Sequence, residues 1–266
     1  MDSMTVLGVY RERIYSPGKV SQDAAILDAA LLELSRLGHE VISLRTEALD
    51  KLSIRPACTL TMAQSGPILD RLEVWQKKGT RIINSTLSVR QCYRKPLFRL
   101  LTEAGMPIPL TTILPLEKLE ETISSPSSYW LKRGDVHAIE PGDVVRVGSK
   151  EELTRAVHHF RSRGIGEILV QEHVVGEVIK FYGVRGGHYF SAFRASAGEE
   201  VTSEMERLSG VAEEAAETLG LEVYGGDAII TPGGKVVLID LNDWPSFSRC
   251  CEPAAKVIAK YVTTIL

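Results

Sequence analysis

The chain has 266 residues, of which 44% are hydrophobic and 24% charged, and its formal net charge is −3. These values predict a folded protein of one large or two modest domains and exclude an extensively disordered one. A slightly negative charge without a basic tract argues against a nucleic-acid platform, and no apolar run approaches the roughly 18 residues of a membrane span. The opening MDSMTVLGVYRER carries an early acid and no long apolar core, so no secretory leader is expected. Cys58, Cys92, Cys250 and Cys251 show no CxxC spacing and read as reduced thiols of a cytoplasmic protein.

The first 85 residues predict alternating strands and helices. TVLGVY (5–10) is a short apolar, β-branched run. A helix follows, with Ser21 as N-cap, Asp23 in its first turn and Gly38 as its stop. Its apolar residues Val20, Ala24, Leu27, Leu31, Leu34 and Leu37 step by three and four. EVISLR (40–45), ACTLTM (57–62) and TRIIN (80–84) read as further strands, with a helix at about 67–78. Strands separated by helices predict parallel pairing, with ligands near the carboxyl ends of the strands. No GxGxxG fingerprint occurs here, so no dinucleotide site is expected.

A helical stretch over 87–104 stops at Gly105, and Pro107 with Pro109 marks an extended connection. YWLKR (129–133) predicts a strand that enters the polar loop GDVHAIEPGD. Ser149 with Glu152 forms a capping box for a helix ending at Gly164. Ser203 with Glu206 forms a second, for a helix ending at Gly220. EILVQEHV (167–174), VIKFYGV (178–184) and residues 188–194 read as strands. Two last strands and a C-terminal helix close the chain.

The most informative segment is VYGGDAIITPGGKVVLIDLNDWPSF (223–247), where two β-prone runs flank TPGGK, a hairpin signal. With the turn centred on Gly233-Gly234, paired residue numbers sum to 467 and Asp227 lies opposite Asp240. A turn centred on Pro232-Gly233 shifts the register by two and keeps both acids on one face. Only an odd loop length separates them. Asn242, two residues past Asp240, shares that face. Facing carboxylates repel by roughly 0.2–1 kcal/mol when exposed and by more when buried, and a hard cation removes the penalty. Two acids and an amide oxygen are donors of the kind Mg2+ takes, with phosphate and water completing its shell. The alternative is that one acid faces solvent and the other caps a turn.

A metal held against phosphates needs cations beside it. Lys95 lies in a basic helical stretch with Arg90, Arg94 and Arg99. Lys132 ends an aromatic-rich strand before the glycine-containing loop, where an ammonium can meet a phosphate beneath a flexible cover. Each lysine, and His137 within the loop, is also consistent with a solvated surface residue. Gln171-Glu172-His173-Val174 sits where a strand reaches a glycine-containing bend. Backbone groups at such an end can read a purine edge, and Glu172 can accept from an exocyclic amine. An amphipathic strand with a solvated acid accounts for the same residues.

Taken in order, RIINSTLSVRQCYRKPLFRLLTEAGMPIPLTTIL, YWLKRGDVHA, ILVQEHVVGEVIKFYGV and GGDAIITPGGKVVLIDLNDWPSF resemble the ATP-grasp superfamily. They match, in turn, its first lysine followed by Gly-x-Pro-x-Pro-x-Thr, its second lysine and flexible loop, its adenine-binding hinge and its metal-binding hairpin. The resemblance covers nearly the whole chain and implies an α/β architecture. An N-terminal parallel α/β domain (1–86) would precede a two-part α+β nucleotide-binding domain. That domain would comprise a lid or central subdomain (87–168) and a C-terminal subdomain with the metal hairpin (169–266).

Carried over by position, Lys95 and Lys132 would contact nucleotide phosphates. Glu172 and Val174 would meet adenine, with Gln171 and His173 beside them. Asp227, Asp240 and Asn242 would hold one or two Mg2+ ions, with Mn2+ as an alternative. Asp240 stands where many members have glutamate, as in the branch that includes inositol polyphosphate kinases. Gly176 with Lys180 also looks like that branch, where the lysine faces substrate phosphates. The implied activity is similar to that of ligases of the ribosomal-protein glutamate ligase type. It is an ATP- and Mg-dependent activation of a small-molecule or peptide carboxylate as an acyl phosphate, displaced by an amine or similar nucleophile. His137, Lys180, Arg194 and Arg249 are then candidates for substrate anions, the two arginines because they lie near strand or hairpin ends. A small-molecule kinase acting on a hydroxyl, and an ATP-binding regulatory protein without turnover, are the alternatives. A monomer or homodimer with no nucleic-acid or membrane partner is expected. The segment between 194 and Ser203 is short for a substrate loop, which leaves the substrate open.

Overall fold

The computed structural model describes residues 3–52, 54–123, 128–135 and 138–266. Strand β1 (Thr5–Val9) leads into helix α1 (Val20–Arg36), β2 (Glu40–Leu44), β3 (Cys58–Thr61), α2 (Gly66–Lys77) and β4 (Arg81–Ile83). The four strands pair in parallel in the order β2-β1-β3-β4, as apolar strands joined by helices should. α1 starts just before Ser21, so Lys19 rather than Ser21 is its N-cap, without a side-chain cap. Asp23 does sit in the first turn, where its carboxylate accepts the Ser16 hydroxyl at 2.7 Å. Gly38, at φ 94°, ends the helix.

The helix expected over 87–104 is two helices, α3 (Thr86–Gln91) and α4 (Arg94–Glu103). The chain restarts at Tyr93 so that Pro96 falls in the first turn of α4, where a missing N–H forfeits no helical bond. Then come β5 (Thr111–Pro115), α5 (Leu119–Thr122), β6 (Tyr129–Arg133), β7 (Val144–Val147), α6 (Lys150–Ser162) and β8 (Glu167–Glu172). These strands form a second, antiparallel sheet in the order β5-β8-β6-β7. Its two edges, β5 and β7, go beyond the strands read from the sequence. Both are short and only partly buried, and so carry little hydrophobic pattern. Of the Ser149 box the serine half forms, with the Ser149 hydroxyl accepting from Glu152 N–H at 3.2 Å, while the Glu152 carboxylate reaches one residue further back and accepts from Gly148 N–H at 2.7 Å.

The remaining elements are β9 (Glu177–Val184), β10 (Tyr189–Arg194), α7 (Met205–Thr218), β11 (Val223–Ile230), β12 (Val236–Asp243) and α8 (Cys251–Ile265). The second capping box does not form, because α7 starts at Met205 with Glu204 as N-cap and the Ser203 hydroxyl bonds the Glu204 carboxylate. The third sheet, β10-β9-β11-β12, is antiparallel throughout. One face packs on α4 and α7 through Phe181, Leu238, Phe98, Leu101, Leu208 and Ala212. On the other side, Tyr182, Val184, Val223 and Trp244 join the core of the first sheet, in which α8 lies on α1. The last element of the chain thus contributes to the first core. All four cysteines are free, and among the described residues no helix is long and apolar enough to cross a membrane.

Candidate active site

β11 and β12 place Asp227 directly opposite Asp240, and Gly225 opposite Asn242. The loop between them is odd, however. Thr231 N–H bonds the Lys235 carbonyl at 2.9 Å, and Gly234, at φ 72°, donates to the Thr231 carbonyl at 2.8 Å. That leaves a three-residue tip, Pro232-Gly233-Gly234, and pairs Ile230 with Val236 and Ala228 with Leu238. Continued unbroken, this register would slide Asp240 past Asp227 onto the core face. A β-bulge with Ile239 as the extra residue corrects it. Val236, Leu238 and Leu241 therefore face the core with Ala228. Ile239, Asp240 and Asn242 line a cavity of about 540 Å³. Gly226 makes the close pairing feasible, since a Cβ there would lie 2.2 Å from the Asp240 carbonyl oxygen.

Across the sheet in the other direction, Asp227 pairs with Lys180 of β9. Lys180, Asp227 and Asp240 thus form one row over three strands, and Lys180 Nζ donates to Asp227 Oδ1 at 2.8 Å. Burial works against the Lys180 ammonium, but the charge and hydrogen bond of Asp227 outweigh it and raise its pKa above the ordinary lysine value. The repulsion expected between the two acids is therefore relieved in part within the protein. Among the described residues no three His, Cys, Asp or Glu side chains gather as a metal cluster. The available donors are two carboxylates and the Asn242 amide. Such a set fits a hard divalent ion provided that phosphate and water oxygens complete its shell.

The phosphate-type cations differ from expectation in one respect. α4 buries Arg94, Leu97, Phe98 and Leu101, so Arg94 and not Lys95 is on its inward face. Lys95 has 59% of its side chain exposed, pairs with Glu167 at 2.9 Å and is outside the described cavity lining. Arg94 lines the cavity, and its Nε and Nη1 are buried without a hydrogen-bond partner. Burial lowers its pKa, while Asp240 and Asp143 pull the other way. A buried guanidinium with idle donors is costly unless an anion meets it. The spacing of three and four along this helix is the sequence signal that identifies Arg94.

Lys132 is where the sequence predicts a cavity cation, on β6 and only 7% exposed. Its Nζ donates to the Ile239 carbonyl at 3.1 Å and stands 5.7 Å over the Phe98 ring. Burial pushes its pKa down to about 8 against the attraction of Asp240, and Arg94 adds to the lowering.

Gln171, Glu172, His173 and Val174 also line the cavity. Gln171 Nε2 donates to the Thr111 hydroxyl at 3.2 Å, and Glu172 N–H to the Leu110 carbonyl at 3.0 Å. Trp130 Nε1 donates to His173 Nδ1 at 3.2 Å, which assigns the proton of the neutral ring to Nε2. Trp130 is a lining residue that the sequence reading missed, although its place two before Lys132 puts both on one face of β6. Arg194 pairs with Glu177. Arg249 Nη1 donates to the Arg194 carbonyl at 3.3 Å and its guanidinium sits 5.8 Å over Phe193. Neither arginine is among the described lining residues. His137 lies outside the described residues. A further wall, also unread from the sequence, comes from the first sheet's loops and α3–α4, with Arg11, Tyr15, Lys19, Gln64 and Tyr93.

No protein-family model and no curated protein sequence matches the chain. Solved structures do. A RimK domain protein ATP-grasp from Sphaerobacter thermophilus has a TM-score of 0.73 at 19% identity, over 97% of this chain and 99% of that one. D-alanine–D-alanine ligase from Bacillus anthracis, complexed with ATP, has a TM-score of 0.76 at 14% identity, over 98% and 97%. The ATP-grasp ligase PsnB, complexed with precursor peptide PsnA2 and AMPPNP, has a TM-score of 0.66 at 15% identity, over 98% and 97%. The chain has the ATP-grasp fold, with a parallel first sheet and antiparallel second and third sheets.

Proposed function

We propose that the protein is an ATP- and Mg2+-dependent ligase. It activates a small-molecule or peptide carboxylate as an acyl phosphate for attack by an amine or similar nucleophile. One observation carries this reading. Arg94, with two idle guanidinium nitrogens, and buried Lys132 line the same cavity as Asp227, Asp240 and Asn242. Buried cations and acids sharing one cavity suit a polyphosphate together with a divalent ion better than either alone. The ATP-grasp fold supports the reading, as do the ATP complex of the D-alanine–D-alanine ligase and the peptide complex of PsnB.

In this reading Trp130, Gln171, Glu172, His173 and Val174 receive the adenine, and Arg94 and Lys132 the phosphates. Asp227, Asp240 and Asn242 hold one or two Mg2+ ions, which when bound neutralise charge on the transferred phosphoryl group. A substrate carboxylate oxygen attacks the γ-phosphorus, the bond from that phosphorus to the bridging oxygen breaks, and ADP leaves with the electron pair. The amine nitrogen then bonds the acyl carbon, phosphate departs, and the nitrogen's proton passes to solvent. Arg94 and Lys132 offset developing charge and hold the phosphates in line. Lys180, beside Asp227, is the side chain for a substrate anion. Arg194 and Arg249, engaged outside the cavity, are given no part.

Incubation with Mg·ATP, pooled carboxylates and hydroxylamine tests this. The expected result is carboxylate-dependent ADP release with hydroxamate formation. ADP release that requires a polyol and yields no hydroxamate assigns a kinase instead. Mg·ATP binding without ADP release in any pool assigns a binding protein.

A further inference from the structure

Asn242 is followed by Asp243 and Trp244, which are gripped from the first sheet. The Asp243 side chain is 2% exposed, and both its oxygens accept from Gln64 Nε2, at 3.1 and 3.0 Å. Arg11 Nη2 donates to the backbone carbonyls of Asp243 and Trp244, at 3.2 and 2.8 Å. The Trp244 indole N–H reaches the Ile83 carbonyl at the end of β4, at 2.8 Å. Arg11 and Gln64 lie on the loops that follow β1 and β3. Glu12 fastens those loops together, since its carboxylate accepts from Gln64 N–H at 3.0 Å, Ser65 N–H at 3.1 Å and the Ser65 hydroxyl at 2.6 Å.

The grip acts at a place that needs one. Among the described strands β12 is an edge strand, paired with β11. Trp244 ends it at φ 37°, a conformation that L-residues other than Asn and Asp seldom adopt and that persists only when its surroundings enforce it. Pro245 follows and cannot extend the ladder. The last donor of the proposed metal set, Asn242, is therefore two residues from a strained strand end whose fixed points belong to another sheet.

We propose that Arg11 and Gln64 are positioning residues for the metal site. Through Asp243 and Trp244 they hold Asn242 in line with Asp227 and Asp240, so that the first sheet sets the divalent-ion affinity of the hairpin. The proposal rests on the metal assignment made above for these three residues.

Arg11→Met and Gln64→Met remove the donors at similar side-chain length. The test compares them with wild type by free-Mn2+ titration in the presence of ADP, by ADP affinity in EDTA, and by melting temperature in EDTA. Mn2+ affinity should fall by about 10-fold or more in each, as is usual when the partners that orient metal ligands are removed. ADP affinity in EDTA should fall by clearly less than Mn2+ affinity, since both residues line the cavity wall but are held there by Asp243 and Trp244. Asp243→Asn, which keeps an acceptor for Gln64, should retain most of the Mn2+ affinity. If Arg11→Met does not fold, Gln64→Met, which leaves both carbonyls bonded, decides the matter. Wild-type Mn2+ affinity in the folded variants overturns the proposal, and so does an equal loss of metal-free ADP affinity, which would mean a generally loosened cavity. A wild-type protein that takes up no Mn2+ with ADP overturns the metal assignment itself, and this proposal with it.

Discussion

Lys132 Nζ donates to the carbonyl oxygen of Ile239 at 3.1 Å, so the buried cation of the second sheet holds the bulge residue of the third. Ile239 has no paired residue on β11. A bulge carbonyl and a desolvated ammonium thus meet each other's need, at the point where Asp240 is turned toward the cavity.

The first prediction concerns Lys132. Burial lowers its pKa from the ordinary 10.5 to about 8. Between those values the unfolded chain holds the proton more tightly than the folded one, so stability should rise with pH through that window. Below it the buried charge opposes folding in full. Relative to wild type, Lys132→Met should therefore be more stable near neutral pH than near about pH 10, by on the order of 1–3 kcal/mol, while the lost hydrogen bond to the Ile239 carbonyl lowers its stability at both pH values. The variant should also lose about 10- to 100-fold in Mg·ATP affinity, because a charge-assisted contact is worth about 1.5–3 kcal/mol. Wild-type nucleotide affinity should decline as pH rises past about 8, where the ammonium must be protonated to bind. Melting curves and calorimetry across pH measure all three, and a Lys132→Met protein with wild-type affinity removes Lys132 from the phosphate site.

A second prediction separates two neighbours. Arg94→Met should lower Mg·ATP affinity by about 10- to 100-fold and leave the nucleotide-free protein at least as stable, since the idle buried guanidinium disappears. Lys95→Met removes only an exposed ion pair with Glu167 and should change stability by less than about 1 kcal/mol and affinity not at all. The opposite ranking in a binding titration returns the phosphate role to Lys95.

The two acids should also respond differently to neutralisation. Asp240→Asn keeps an oxygen for Leu241 N–H, which Asp240 Oδ1 accepts at 3.1 Å, and reduces repulsion with Asp227. It should keep the fold and lose the thermal shift with Mg·ATP, which at a ligand concentration of about 100 times Kd is worth about 2.7 kcal/mol in a competent site. Asp227→Asn takes the charged partner from Lys180, so it should lose that shift and also melt lower without ligand. A full Mg·ATP shift in Asp240→Asn would be incompatible with the metal assignment.

Gly226→Ala tests the hairpin itself. The new methyl would sit 2.2 Å from the Asp240 carbonyl oxygen and 2.8 Å from Phe181 Cζ. It should destabilise the fold by about 1–3 kcal/mol or more in denaturant titration. Gly233→Ala, whose methyl would have its nearest neighbour at 4.0 Å, is the matched control and should be close to neutral.

Much of this was legible in the sequence, for identifiable reasons. The facing of Asp227 and Asp240 follows from strand alternation about a glycine turn, although the sequence does not reveal that an odd turn and a bulge produce it together. Lys132 is legible because it ends a strand before a glycine-containing loop. The choice of Lys95 over Arg94 follows from residue type, since lysine is the usual phosphate ligand of the resembling family, whereas burial periodicity favours the arginine. Arg11 and Gln64 were illegible because their contacts with Asp243 span 232 and 179 residues of chain. Local pattern carries no trace of such pairings.

In the β11–β12 hairpin, a tip that displaces the register by one residue is answered by one surplus residue at Ile239. The faces beside the acids are therefore set by that surplus residue and not by the length of the tip. An added residue between Thr231 and Lys235 only lengthens a loop, since hairpin tips of about two to five residues leave the flanking pairs as they are. Loss of Ile239 would restore plain alternation and keep Asp240 opposite Asp227. A second extra residue between Leu238 and Asp240, without a second bulge, would instead turn Asp240 and Asn242 toward the hydrophobic core and Leu241 out of it. Length is thus free to vary at the tip and constrained beside the acids.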